Sequence, residues 1–399
     1  MKKIIAALAA TTLMTAGVTA VTAAGHSPVK IGVILGFTGP IESLTPTMAA
    51  SAELAMKEVT ESGKFLGGAA VEPVRADSTC VDAAAATANA ERLITAEGVS
   101  ALMGADCSGV TGAILQNVAR ANGIVMISPS ATSPGLSTAE DDGLFFRTAP
   151  SDARQGAVLA EVLKEKGVTS AAMTYTNNDY GKGLAESIQT SFEAMGGKIT
   201  ISAAHEDGKG DYAAEVGALA QAGGDVLIVA GYLDQGGKGV IQASLDAGAF
   251  STFVLPDGMV GDSLPEAIGA ALNGSYGTIA GSENEGAAMF TALATAAGVK
   301  TDTYAAESYD AAALLMLAMQ AAGSKDSAAL KAKVFDVANA PGEKILPGQL
   351  GKALEILAAG GDIDYQGATA VELIGPGESA GAFKEILIDG GKVTTAKFR

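Results

Sequence analysis

The segment VKIGVILGFTGP, residues 29–40, decides the fold because it joins an unbroken apolar run to an exit that contains Gly, Thr and Pro. A helical pattern follows at about 46–62. The same alternation continues along the chain, with further helices predicted at about 82–96, 109–121, 152–166, 182–195, 211–222 and 235–247. Apolar runs separated by helices are typical of strands that a parallel sheet buries on both faces. The sequence therefore predicts an α/β protein with parallel central sheets.

The alternation restarts near residue 150, which predicts two doubly wound lobes. We expect the chain to cross between them near 147–151, 280–284 and 370–383. This division gives lobe 1 residues 25–149 plus 283–370, and lobe 2 residues 150–282 plus 371–399. The last segment also predicts a β-hairpin with DGG at its turn.

The first residues predict a signal peptide, residues 1–24. A basic start, MKK, precedes the short apolar run IIAALAATTLM and the small residues of TAVTAAG, with cleavage after Ala23 or Ala24. The apolar run is too short for a bilayer span of about 20 residues. We therefore expect an exported chain, in which Cys80 and Cys107 form either a disulfide or two buried thiols.

Composition excludes several classes of function. The chain has 44 acidic and 26 basic residues, a net charge of −18 at pH 7, which argues against binding nucleic acid or an anionic membrane. Only two histidines, His26 and His205, are available for a metal site or a Ser–His–Asp triad. The dinucleotide fingerprint G-x-G-x-x-G and the phosphate loop G-x-x-x-x-G-K-[ST] are absent. We expect no catalytic residue, metal or cofactor.

Polar residues collect where the predicted strands end. GADCSG and ISPSATSPG in lobe 1 offer hydroxyls and amides, whereas TYTNNDYG, VAGYLDQGG and LPDGM in lobe 2 offer aromatic and acidic groups. Such residues also cap the helices that follow, and both roles are compatible. Ligands bind beyond the carboxyl ends of parallel strands. Because a buried charge needs a partner, the two sets suit a zwitterion, with its carboxylate on lobe 1 and its ammonium on the lobe 2 acid.

These segments, together with KIGVILGFTGP and NDYGKGLAE, make the chain resemble the periplasmic branched-chain amino-acid binding proteins of ABC transporters, which have the type I periplasmic binding fold. The resemblance implies a periplasmic monomer without catalytic activity. Its two hinged lobes would close on an amino acid, and the protein would then deliver that ligand to a membrane permease.

The resemblance also implies roles for individual residues. Ser108, Ser130, Ala131 and Thr132 are expected to hold the carboxylate and, through Thr132, part of the ammonium. Tyr180 is expected to cover the ligand, Tyr232 and Asp257 to line the closed cleft and receive the ammonium, and Tyr304 to lie against the ligand side chain. Cys80 and Cys107 match a disulfide beside the site.

Three positions depart from the aliphatic binders of that family. Leu44 stands near the position of a tyrosine, Asp106 replaces an apolar residue against the ligand side chain, and Asp257 replaces a longer Glu. A carboxylate against an aliphatic side chain is costly. A polar or cationic amino acid, or a small amide, therefore remains an alternative ligand, and Asp106 would then set specificity. A soluble ligand sensor is the alternative to a transport role.

Overall fold

A computed structural model of the chain describes residues 27–399, so the predicted signal peptide lies outside the described residues. The strands within that range are β1 Val29–Leu35, β2 Val71–Asp77, β3 Leu102–Gly104, β4 Met126–Ser128, β5 Phe145–Arg147, β6 Ser170–Thr176, β7 Lys198–His205, β8 Val226–Ala230, β9 Phe253–Leu255, β10 Tyr276–Ala280, β11 Glu343–Ile345, β12 Ile363–Tyr365, β13 Leu373–Ile374, β14 Glu378–Ser379, β15 Phe383–Asp389 and β16 Lys392–Phe398. The helices are α1 Thr45–Ser62, α2 Ala83–Thr95, α3 Ser108–Ile114, α4 Arg120–Asn122, α5 Asp152–Glu165, α6 Asp179–Ala194, α7 Ala213–Ala222, α8 Gly236–Asp246, α9 Ser263–Ile268, α10 Glu285–Ala297, α11 Ala305–Ala322, α12 Ser327–Leu330, α13 Val334–Ala338 and α14 Leu350–Ala358.

These strands form two large sheets, one in each lobe. The first has the order β13-β14-β5-β4-β3-β1-β2, and the second has the order β16-β15-β10-β9-β8-β6-β7. Strands β1 to β5 are parallel within the first sheet, and β6 to β10 are parallel within the second. The predicted fold, two doubly wound lobes with parallel central sheets, is confirmed.

Burial explains why the apolar runs become strands. Ile31, Val33 and Ile34 of β1 are fully buried, as expected for a strand covered by helices on both faces. The first lobe is completed by the apolar helix α11, which packs against α1, β3 and β4. Within residues 27–399, no helix combines the length and the apolarity that a membrane crossing requires.

The chain passes between the sheets in three short segments. The first two lie between β5 and α5 and between β10 and α10, and the third lies between β14 and β15. The prediction that lobe 2 resumes at residue 371 is wrong for β13 and β14. Glu378 of β14 pairs with Arg147 of β5 in the first sheet. The short edge strands β13 and β14 therefore belong to lobe 1.

Two further predictions are confirmed. The C-terminal hairpin joins β15 to β16 through Gly390 and Gly391, whose φ values of 57° and 73° suit the tight turn. The disulfide links Cys80 after β2 to Cys107 after β3, with Cα atoms 5.1 Å apart. The bond therefore braces the first lobe immediately before Ser108, the first residue of α3.

Candidate functional site

A small cavity of about 20 Å³ lies between the lobes, at the carboxyl ends of both sheets. It has room for about one water molecule, so an amino acid needs the lobes or the lining side chains to move apart. The cavity is lined by Ile41, Leu44, Asp106, Cys107, Ser108, Ser130, Tyr180, Tyr232, Asp257, Gly258 and Tyr304. Seven of the predicted site residues are in this lining. Ala131 and Thr132 are buried in the same loop as Ser130 but do not line the cavity.

The lobe 2 side of the cavity is built around Asp257, which follows β9 and is 2% exposed. The Tyr180 hydroxyl donates to Asp257 Oδ1 at 2.7 Å, and the hydroxyl of Tyr304, which precedes α11 in lobe 1, donates to Asp257 Oδ2 across the cleft. The ring of Tyr180 also stacks on that of Tyr232, with centroids 5.1 Å apart. Tyr304 was expected to meet the ligand side chain, whereas here its hydroxyl holds the acid.

Burial shifts the pKa values of Asp257 and of the two tyrosines that donate to it. It raises the pKa of Asp257, and the hydrogen bonds from Tyr304 and Tyr180 oppose that rise. Burial and the charge of Asp257 also raise the pKa values of both tyrosines, so they remain neutral donors. A buried carboxylate whose only hydrogen-bond donors are neutral is well suited to receive a cation.

The lobe 1 side is formed by the loop after β4. Ser128 Oγ accepts a hydrogen bond from Ala131 N–H at 2.9 Å, and Ser108 Oγ accepts one from Ser133 N–H at 3.1 Å. The Ser130 hydroxyl donates to the carbonyl of Asp106 at 3.0 Å. These bonds hold the hydroxyls of Ser108 and Ser130 at the cavity surface, where a carboxylate could exchange for the internal partners.

Asp106 lines the cavity, but its carboxylate is held by lobe 1. Gly36 N–H donates to its Oδ2 at 2.6 Å, and the Ser78 hydroxyl donates to its Oδ1 at 2.8 Å. Burial raises the pKa of Asp106, and these bonds oppose the rise. Its carboxylate therefore fixes the exit of β1, and a role in ligand specificity stays a prediction.

Three buried polar residues behind the cavity were not predicted from the sequence. Asp152 and Gln155 lie in the first turn of α5, and Arg147 ends β5. Arg147 donates to the carbonyls of Ala131 at 3.0 Å and Ser133 at 2.9 Å, so it fixes the shape of the ligand-facing loop. The available signal was the polar run SDARQ, residues 151–155, which three residues separate from β5. This run matches an ordinary capped helix start, and Ser151 does cap α5.

Contacts at the rim hold the lobes closed. Asp234 of lobe 2 accepts a hydrogen bond from Ser43 N–H of lobe 1 at 2.9 Å, and its own N–H donates to Pro40 O at 3.0 Å. On the other side of the cavity, the Ser133 hydroxyl donates to Asp179 O at 3.1 Å. These bonds exist only while the two lobes are together.

One segment resembles the active-site motif of serine hydrolases. Residues 377–381, GESAG, match G-x-S-x-G, in which the serine stands exposed on a turn between a strand and a helix. Here Ser379 is 2% exposed and ends the two-residue strand β14. His205, the one histidine among residues 27–399, lies in the other sheet. The segment therefore lacks both the geometry and the base of a hydrolase site.

Comparison with known proteins agrees with this architecture. A family model described as periplasmic binding protein matches residues 28–341. A Leu/Ile/Val-binding protein homolog 1 of Brucella melitensis is 30% identical over 303 residues, which cover 75% of this chain and 80% of that protein. The family predicted from the sequence is confirmed.

Solved structures share the fold. The branched-chain amino acid transporter substrate binding protein LivJ from Streptococcus pneumoniae, in complex with isoleucine, has a TM-score of 0.77 at 23% identity and covers 93% of this chain and 99% of its own. A solute binding protein of an ABC transporter from R. palustris, in complex with benzoate, has a TM-score of 0.74 at 19% identity and covers 93% and 96%. By its sequence match and its two-lobed architecture, this chain belongs to the periplasmic binding protein family.

Proposed function

We propose that the protein is the extracytoplasmic solute-binding component of an ABC transporter, which binds an α-amino acid between its lobes and delivers it to a membrane permease. The observation that carries the proposal is the buried acid Asp257, which faces the hydroxyl-rich loop of lobe 1 across the small cavity between the lobes. The similarity to a Leu/Ile/Val-binding protein homolog supports the same ligand class.

The geometry supports a closing mechanism. Ser108 and Ser130 belong to lobe 1, so a ligand carboxylate can bind them while the lobes are apart. Tyr180, Tyr232 and Asp257 belong to lobe 2 and reach the ligand only after closure. Contacts that exist only in the closed form shift the population toward that form. The closed form is the one that a permease would recognise.

The lining of the cavity also favours an amino acid with an apolar side chain over one with a polar side chain. Ile41 and Leu44 supply apolar surface, and the carboxylate of Asp106 is already held by Gly36 and Ser78. This arrangement supports a branched-chain or similarly apolar side chain. Benzoate, the ligand of the R. palustris structure, carries no ammonium and would leave the charge of Asp257 without a partner.

A thermal-shift screen of the refolded, ligand-stripped protein tests the proposal. The panel contains the common L-amino acids, acetamide and benzoate. A ligand present at 100 times its dissociation constant stabilises the folded state by about 2.7 kcal/mol. We expect the largest shifts with apolar amino acids. Shifts with acetamide or benzoate, and none with any amino acid, would contradict the proposal.

Export and oligomeric state belong to the same proposal. We infer that residues 1–24 are removed and that the mature protein acts as a periplasmic monomer. N-terminal sequencing of the protein recovered from the periplasmic fraction tests the first point, and light scattering of the purified protein tests the second. A retained N-terminus or a stable dimer would contradict the respective point.

A further inference from the structure

The guanidinium group of Arg147, the last residue of β5, is 1% exposed and joins two distant parts of lobe 1. Its Nη1 donates to the carbonyls of Ala131 at 3.0 Å and Ser133 at 2.9 Å, both in the ligand-facing loop after β4. Its Nη2 donates to Glu378 Oε2 at 2.5 Å and to the Ser137 hydroxyl at 2.7 Å. A buried charge requires partners of this kind. One side chain therefore connects the ligand-facing loop to the edge strand β14.

Arg147 and Glu378 stand beside two of the three segments that pass between the lobes. The first crossing, residues 148–151, begins directly after Arg147, and the third, residues 380–382, begins two residues after Glu378. The two residues are paired in the first sheet, and Arg147 N–H donates to Gly377 O at 2.9 Å. Their ion pair therefore fixes the lobe 1 ends of both crossings relative to each other.

The carbonyls of three consecutive residues in the ligand-facing loop, residues 129–133, are held by groups at the first crossing. Arg147 binds those of Ala131 and Ser133, and Asp152 N–H donates to that of Thr132 at 2.9 Å. Asp152 is the first residue of α5, at the other end of the crossing. The backbone of the loop is thus fixed from both ends of the segment that joins the lobes.

Ser133 carries the effect of this arrangement to the cavity and to the rim. Its N–H donates at 3.1 Å to the Oγ of Ser108, which lines the cavity. Its hydroxyl donates to Asp179 O of lobe 2 at 3.1 Å. Because Arg147 holds the carbonyl of the same residue, a displacement of Arg147 would reach both contacts.

We propose that Arg147 and Glu378 are positioning residues, whose ion pair ties the ligand-facing loop to the hinge and holds it in its binding shape before the lobes close. The inference rests on the proposed function and names what prepares the lobe 1 half of the site. Neither residue is in the lining of the cavity. The partners of the Arg147 guanidinium all belong to lobe 1, so the pair is present whether the lobes are open or closed.

Isothermal titration calorimetry on the ligand-stripped protein tests this role. Each L-amino acid that binds the wild type is titrated into the double variant Arg147→Met, Glu378→Met, because apolar residues of similar volume often replace a buried ion pair without loss of stability. The control is the double variant Arg75→Met, Glu53→Met, which makes the same change at a two-bond ion pair between β2 and α1. Unfolding temperatures are measured first, and all titrations are made where each protein is folded.

We expect the Arg147, Glu378 double variant to bind every L-amino acid about tenfold or more weakly, since the loop must then be ordered as the ligand binds. The ratios of affinity between amino acids should stay within about twofold of those of the wild type, because neither residue contacts the ligand. The Arg75, Glu53 control should bind each amino acid within about twofold of the wild type.

Hydrogen–deuterium exchange of the unliganded proteins separates positioning from a general loss of stability. In the Arg147, Glu378 double variant we expect faster exchange in the peptide that contains residues 129–133 and unchanged exchange in β1 and β3, because only the loop loses its donors. Faster exchange throughout lobe 1 would assign the pair a merely structural role and overturn the proposal.

Wild-type affinity in the Arg147, Glu378 double variant would overturn the positioning role and leave the proposed function intact. An equal loss in the control variant, or a loss confined to some amino acids, would overturn it as well. If no L-amino acid binds the wild type, the proposed function fails and the positioning role fails with it. Should the double variant not fold, Glu378→Gln replaces it. We expect about threefold weaker binding and the same local exchange, and wild-type values of both would overturn the proposal.

Discussion

Replacing Asp234 with Ala should weaken ligand binding, although this side chain does not line the cavity. Asp234 Oδ2 accepts the hydrogen bond from Ser43 N–H across the rim at 2.9 Å, and Oδ1 accepts one from the Ser263 hydroxyl within lobe 2 at 2.9 Å. Of these two bonds, only the one to Ser43 crosses between lobes. The substitution therefore removes an interaction that belongs to the closed form alone.

The size of the effect follows from that single bond. A hydrogen bond to a charged group contributes about 1.5–3 kcal/mol, and partial solvent exposure lowers this to about 1–2 kcal/mol. The bond between Asp234 N–H and Pro40 O involves backbone atoms and survives the substitution. Because ligand affinity includes the free energy of closing, the dissociation constant should rise about 5- to 30-fold.

Calorimetry with the amino acid that gives the largest thermal shift measures this effect. Asp234→Asn keeps an oxygen acceptor for Ser43 N–H and should bind within about threefold of the wild type. Asp246→Ala is a control for charge, because within residues 27–399 the carboxylate of this exposed lobe 2 acid accepts a side-chain hydrogen bond only from Gln242. Unchanged affinity in Asp234→Ala, or equal losses in all three variants, would show that the rim bond does not contribute to closing.

The remaining predictions concern charge, pH and the disulfide. Asp257→Ala should weaken amino-acid binding at least about 30-fold in calorimetry, because the ammonium loses its charged partner. Since burial raises the pKa of Asp257, affinity should fall as pH is lowered below neutral and this acid takes up a proton, and a flat profile from pH 7 to pH 4 would contradict this. Burial raises the pKa of Glu307 from 4.5 to about 7, so the folded state holds this proton more tightly than the unfolded chain. The free energy of unfolding should therefore decrease by up to about 3 kcal/mol as pH rises from 4.5 through 7, and urea titrations of Glu307→Gln should show a smaller decrease. Replacing Cys80 and Cys107 with Ser should lower the free energy of unfolding by about 3–4 kcal/mol in urea titrations, since the bond closes a loop of 27 residues.

Much of the fold could be predicted because its causes are local. The run VKIGVIL is apolar at nearly every position, and only a strand covered by helices on both faces buries all the side chains of such a run. The same logic placed Tyr180, Tyr232 and Asp257 beyond strand ends that meet at one edge of a sheet. Most of the candidate site was predictable for this reason.

The residues that were missed depend on contacts between distant parts of the chain. Asp152 has the sequence context of an ordinary helix start, and its burial depends on contact with the lobe 1 loop, where its N–H donates to the carbonyl of Thr132 at 2.9 Å. The carboxylate of Asp106 turns to Gly36, 70 residues earlier, a contact that no local pattern indicates. Glu378 joins the first sheet through one pairing with Arg147, which is too short an element to leave a periodic signal.

The position of helix α11 in the sequence determines when the first lobe can fold during synthesis. It is buried along almost its whole length and completes the core of the first lobe against β3 and β4, yet about 160 residues separate it from β5. At about 5–20 residues per second, ribosomes need roughly 8–32 s to cover that distance. Until then β3 and β4 lack the helix that completes their cover. We therefore expect the nascent first lobe to stay unfolded through most of translation, the state in which a chain can thread through an export channel.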